Sequence, residues 1–182
     1  MLRSQDVVVV LQLRAVASEA GQAWTYAGLA GATGLSASQA HASVERLKAA
    51  GLVRSDADEP LWVPAKALGT LLQHAVPLWL YPETQGPPGA VRGIPTAWSG
   101  PPLSSVMQSD RVVVWPHPQG ESLGESVAPL HACVLKGACV PGHRDYNARL
   151  HEVLALVDAL RLGRARDRRE AMKFLVEWGY AS

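Results

Sequence analysis

Cysteine is scarce in this chain. Two among 182 residues are too few for a disulfide scaffold and fit a reducing compartment. An excess of charge is missing too: 17 basic residues against 16 acidic leave a net charge of +1. That excludes a globally basic nucleic-acid coat and leaves only a local patch for such a contact. No apolar run approaches the roughly 18 to 20 residues that a membrane-spanning helix needs. The stretch from Met1 to Arg14 looks superficially like a signal peptide, but Asp6 sits where a positive region belongs, and Gln12 and Arg14 interrupt the apolar run. A cytoplasmic protein with no membrane association is therefore expected. No Gly-rich phosphate loop, paired-carboxylate motif or Gly-x-Ser-x-Gly elbow is present; Ser99, in Ala97-Trp-Ser-Gly100, lacks the elbow's first glycine. Neither enzymatic activity nor a cofactor is expected.

What is present suffices for a core: 48% of residues are apolar and 18% charged. Residues 1–75 hold two of the 13 prolines, residues 76–142 the other eleven, and residues 143–182 none. This predicts a helical head, a proline-punctuated middle and a helical tail. In the head, Ser4 is the expected cap of a first helix reaching about Ala17. Its four valines favour a strand by propensity, but its length and the following Leu11, Leu13, Ala15 and Ala17 favour a buried helix. Thr25 caps a short second helix with Tyr26, Leu29 and Ala30 inward, ended by Gly31 and Gly34. Ser36 caps a third, in which Ala40, Val44 and Leu47 form an apolar stripe and Gly51 provides the C-terminal cap. Leu52-Val-Arg54 and Leu61-Trp-Val63 flank the acidic turn Ser55 to Glu59 as a hairpin. A further helix over Ala65 to Ala75 is stopped by Pro77.

The ordered set from Tyr26 to Val53, with Leu29-Ala30, the turn Gly34-Leu-Ser36, and Val44-Glu-Arg-Leu47 running into Gly51-Leu-Val53, resembles the winged helix-turn-helix of bacterial transcriptional regulators, in particular the MarR-like type. The resemblance covers about residues 4–75. It implies that the third helix offers its N-terminal part to a DNA major groove. On that reading its solvent face is Ser36, Ser38, Gln39, Ala42, Ser43 and Arg46, with Lys48 and Arg54 on the DNA backbone. Serine and glutamine can bond base edges or phosphates, Ala42 can meet a thymine methyl, and Arg46 suits guanine or phosphate. One departure is the acidic wing tip, Asp56, Asp58 and Glu59, which phosphate would repel.

Beyond the head, His131, Cys133, Cys139 and His143 lie within 13 residues, but their spacing is irregular and Val134, Leu135, Ala138 and Val140 around them read as apolar packing. No metal is expected. Residues 81–103 read as a long loop in which Ile94 and Trp98 pack back on the core, with Arg92 and Trp98 as residue types that also anchor interfaces. Arg111 to Trp115 reads as a strand. In the tail, Leu150, Val153, Leu154, Val157 and Leu160 form one helical stripe, and Ala171, Phe174, Leu175 and Trp178 a second after Gly163. Five arginines between 161 and 170 are expected to pair with Asp158, Asp167 and Glu170.

The expected fold is mainly α with a small β content: a winged helix-turn-helix over residues 1–75, then a Pro-rich α+β middle and a C-terminal helical tail over 76–182. The expected function is sequence-specific double-stranded DNA binding by a dimeric repressor, its homodimer built on the 146–178 helices. The competing reading is a protein-interaction module, antitoxin-like or an adaptor, gripping a protein partner through the Pro-rich middle. A metal-dependent enzyme would rest on the four His and Cys residues alone.

Overall fold

Val7 to Leu11 are all at most 1% exposed, although they follow one another on α1 (Ser4–Ser18). A helix buried on every side needs neighbours all round it. Those neighbours are α2 (Tyr26–Thr33), α3 (Ala37–Ala49) and, from the far end of the chain, α6 (Ala148–Leu162). The computed structural model describes residues 1–18, 24–55, 61–82 and 90–182, and it mixes helices with one small sheet.

Local signals set the first three helices. At the start of α1 the Asp6 carboxylate accepts from the Arg3 amide at 2.8 Å, so the cap is one residue earlier than Ser4. Thr25 accepts from the Gly28 amide at 3.0 Å, and Gly34 ends α2 in the left-handed region at φ 71°. A Cβ on Gly34 would lie 2.3 Å from the Cys133 carbonyl oxygen, so the turn before α3 is pressed against residues 132–136. Ser36 and Gln39 form a reciprocal capping box at the start of α3.

Two expectations change between α3 and the sheet. The hairpin reduces, among described residues, to one bridged pair, Arg54 and Trp62; the acidic residues Asp56, Asp58 and Glu59 lie outside the described residues. The following helix does not stop before Pro77. Its segment α4 (Ala65–Thr70) continues through a π-helical turn, Leu71–Ala75, into α5 (Val76–Trp79). The π turn shifts the hydrogen-bonding frame just before the proline, whose missing N–H then falls at the start of a new turn. Position 75 therefore lies inside a continuous helix, and one core runs from α1 and α3 to the sheet and α6.

Within the segment expected as a loop, residues 91–95 form the first strand of the sheet. β1 (Val91–Pro95) pairs antiparallel with both β2 (Val113–Pro116) and β3 (Ser122–Ser126), and β2 pairs parallel with β3, closing a three-stranded ring. The parallel pair forms although only residues 117–121 separate its strands, because the end of β3 meets the start of β2. Closure is tight: a Cβ on Gly120 would lie 2.1 Å from the Gly93 carbonyl carbon. Ile94 and Trp98 do pack inward, at 1% and 9% exposed.

α6 is the central helix of the molecule. Its expected stripe is buried, and so are Ala155, Leu156, His151, Asp158 and Arg161. Asp158 ties it to the sheet: the carboxylate accepts from Thr96 Oγ1 at 2.8 Å, from Trp115 Nε1 at 2.6 Å and from Arg161, whose Nε also donates to the Leu80 carbonyl at 2.6 Å. Burial pushes the Asp158 carboxyl above its ordinary value, against the opposing pull of Arg161 and of the bonds from Thr96 and Trp115. α7 (Ala165–Glu177) covers one side of α6. No helix among the described residues is long and apolar enough to cross a membrane.

Candidate nucleic-acid interface

The residues expected to meet DNA divide into two groups on α3. Ser36, Ser38 and Gln39 are exposed on its first turn, and Ala42 is half-buried beside the exposed His41. Ser36 and Gln39 already spend one bond each on the capping box, which fixes their direction. His41 stacks at a tilt on Tyr26, with 4.9 Å between ring centres. Lys48 pairs with Glu45 at 3.1 Å, and Arg54 lies over the Trp62 ring at 5.4 Å.

Ser43 and Arg46 point the other way, which corrects the expected solvent face. Ser43 is completely buried and accepts from Gln5 Nε2 and from Arg46, both at 3.0 Å. Arg46 makes a bidentate pair with Asp6, Nε to Oδ2 at 2.9 Å and Nη2 to Oδ1 at 2.6 Å. Asp6 is itself 0% exposed, so a guanidinium beside it satisfies a carboxylate that has no access to water. The sequence carried a signal for this. Ser43 stands three residues after Ala40 and four before Leu47, the spacing of the apolar stripe itself, and a small hydroxyl there faces α1.

Burial pushes the Asp6 carboxyl up, but the bonds from Arg46, Ser43 and the Arg3 amide together outweigh it and hold the group below its ordinary value. Its contribution to stability is then present above the unfolded value and lost as pH falls through the folded one. Asp158, raised by burial, has the opposite sign: its contribution is complete at acid pH and lost as pH rises. The gap in unfolding free energy between wild type and Asp6→Asn is therefore expected to be level from pH 7 to about 5 and to shrink below about 4. Urea titrations across that range measure it, and a gap unchanged at the acid end would contradict the assignment.

Further exposed arginines lie outside α3, around the start of α7. Of the pairs expected in the tail, only Arg161 with Asp158 forms as an arginine bridge. Asp167 instead accepts from the Arg164 backbone amide at 2.8 Å, and Glu170 holds Lys173 at 2.8 Å. Arg164, Arg166, Arg168 and Arg169 stay exposed at the start of α7.

No protein-family model, curated protein or solved structure matches the chain. The four His and Cys residues of the middle segment do separate work. His131 Nδ1 accepts from the Cys133 amide at 3.2 Å and His143 Nδ1 from the Asp145 amide at 3.2 Å. Both thiols are buried, which pushes Cys133 up to about 12 and Cys139 up as well. Among the described residues, no three His, Cys, Asp or Glu side chains gather as a metal site.

Proposed function

We propose that this chain is a sequence-specific double-stranded DNA-binding regulator built on a winged helix-turn-helix head, acting as a dimeric repressor. The observation that carries the proposal is the first turn and a half of α3, capped at Ser36 and held by the left-handed Gly34 turn, with Ser38, Gln39 and His41 exposed on it. A helix so presented can enter a major groove with its N-terminal residues toward base edges. Ser36, Ser38, Gln39 and Ala42 remain its reading residues, and Lys48 and Arg54 its phosphate contacts. Ser43 and Arg46 are assigned to the fold. A dimer would have to use surface other than α6, whose stripe is consumed inside the chain.

Selection of bound sequences from a random DNA pool by the full chain is expected to enrich one motif. Ser38→Glu, at the second position of α3, is expected to weaken that binding by at least about tenfold through phosphate repulsion, while melting stays level, because a carboxylate at a helix N-terminus is favourable. A pool with no enriched motif at low salt would remove the proposal.

A second reading, the protein-interaction module, draws on a specific feature. Leu78, Trp79 and Tyr81, at the start of the proline-rich middle, stand 86%, 44% and 71% exposed. Exposed apolar groups so close together are the usual mark of a protein contact. Light scattering on wild type and Leu78→Asp, with and without operator DNA, separates a dimer contact from a site for a different partner.

A further inference from the structure

Leu80 ties the end of α5 to the end of α6. Its carbonyl accepts from Arg161 Nε at 2.6 Å, and Arg161 is itself fixed by the buried Asp158. This bond brings two exposed segments into one neighbourhood. On the first, Trp79 and Tyr81 stand exposed on either side of Leu80. On the second, Gly163 ends α6 two residues after Arg161, and Arg164, Arg166, Arg168 and Arg169 follow at the start of α7, all exposed.

The charge of the second segment is only partly neutralised. Positions 164–173 hold five basic residues and two acidic ones. Asp167 accepts from the Arg164 backbone amide at 2.8 Å, and Glu170 accepts twice from Lys173, at 2.8 and 3.0 Å. Lys173 first, then Arg166 and Arg169 without a hydrogen bond, hold the Glu170 carboxyl below its ordinary value. None of the four arginines forms a salt bridge among the described residues. Arg166, Arg169 and Lys173 are spaced by three and four, so they share one helix face.

Free guanidinium groups suit phosphate, and exposed aromatic rings offer flat faces on which unpaired bases stack. An apolar protein partner would leave the arginines unused, an acidic one the rings, and a duplex keeps its base faces covered. We propose that the end of α5 and the start of α7 together form a surface for single-stranded nucleic acid, with bases on Trp79 and Tyr81 and phosphates on the α7 arginines. None of these residues belongs to α3, and the inference holds whether or not α3 reads a duplex.

Fluorescence anisotropy of the full chain with labelled strands of about 15 nucleotides, one of dT and one of U, tests this. Both strands are expected to bind at low salt, because neither kind of contact uses the 2′-hydroxyl, and both more tightly than a dA–dT duplex of the same length. With three or four phosphates neutralised, log affinity should fall against log salt with a slope of about −2 to −3. The double variant Arg166→Gln/Arg169→Gln should flatten that slope by about 1 or more. Trp79→Ala should weaken binding about tenfold at an unchanged slope, while Trp79→Phe keeps most of it. Tyr81→Ala, at a more exposed position, repeats the test if Trp79→Ala melts early. Ser38→Glu should leave strand binding unchanged, which separates this surface from α3. No binding of either strand at low salt, a preference for the duplex, or full binding by both aromatic-to-alanine variants would overturn the proposal. So would loss of strand binding in Ser38→Glu.

Discussion

Arg46→Ala is expected to destabilise the fold by about 3–5 kcal/mol, the usual cost of removing one partner from a buried ion pair. Asp6 is completely enclosed between α1 and α3, and the guanidinium supplies two of its bonds. Truncation leaves the carboxylate with the Arg3 amide and the Ser43 hydroxyl, too few to replace water. The double variant Asp6→Leu/Arg46→Met removes both charges at once and should recover much of the loss. Urea unfolding of the three variants, with a common slope, measures this. A loss below about 1 kcal/mol for Arg46→Ala would mean that the pair is no stronger than a surface bridge. The result bears on function as well: weaker DNA binding by an Arg46 variant would report unfolding as much as a lost contact, which is why Ser38 is the cleaner probe of α3.

Asp158→Ala should cost a similar amount, about 3–5 kcal/mol, for a different reason. Here three donors are orphaned together. Thr96 and Trp115 belong to the sheet and its edge, and the Arg161 side chain is only 4% exposed. Their common acceptor is what orients α6 against β1 and β2, so near-ultraviolet dichroism of Trp115 should change along with the melting temperature. Asp158→Asn keeps an oxygen for the two neutral donors but turns an amide toward Arg161, and is expected to fall between wild type and alanine. Unchanged melting of Asp158→Ala would show that α6 is held by apolar packing alone.

The head was legible because its signals are local. Thr25, Gly34, Ser36 and Gly51 each act within four residues of where they stand, and Gly34 and Gly51 both take the left-handed conformation, at φ 71°, at the ends of helices. The stripes of α6 and α7 and the break at Gly163 followed in the same way from the helical period. β1 was not legible. Its residues Arg92, Gly93 and Ile94 carry little strand pattern, and their partners lie beyond a 3-10 turn at 97–99, at Pro116, Trp115 and Leu123. Pairing at that separation, with glycines needed for contact rather than for turns, leaves no mark in a short window of sequence.

The sequence by itself marked the helices of the head and tail, where α2 and α3 begin and end, and which residues of α3 could be offered to a partner. Tertiary structure decided which of them are. Asp6 and Arg46 are 40 residues apart, and only the packing of α1 on α3 turns that arginine from a surface cation into the counter-ion of a buried acid. The same kind of packing gave α6 its charged side chains to bury. Helix period and capping are fixed by neighbours a few residues away, whereas the environment of a charge depends on whatever the rest of the chain brings within reach of it.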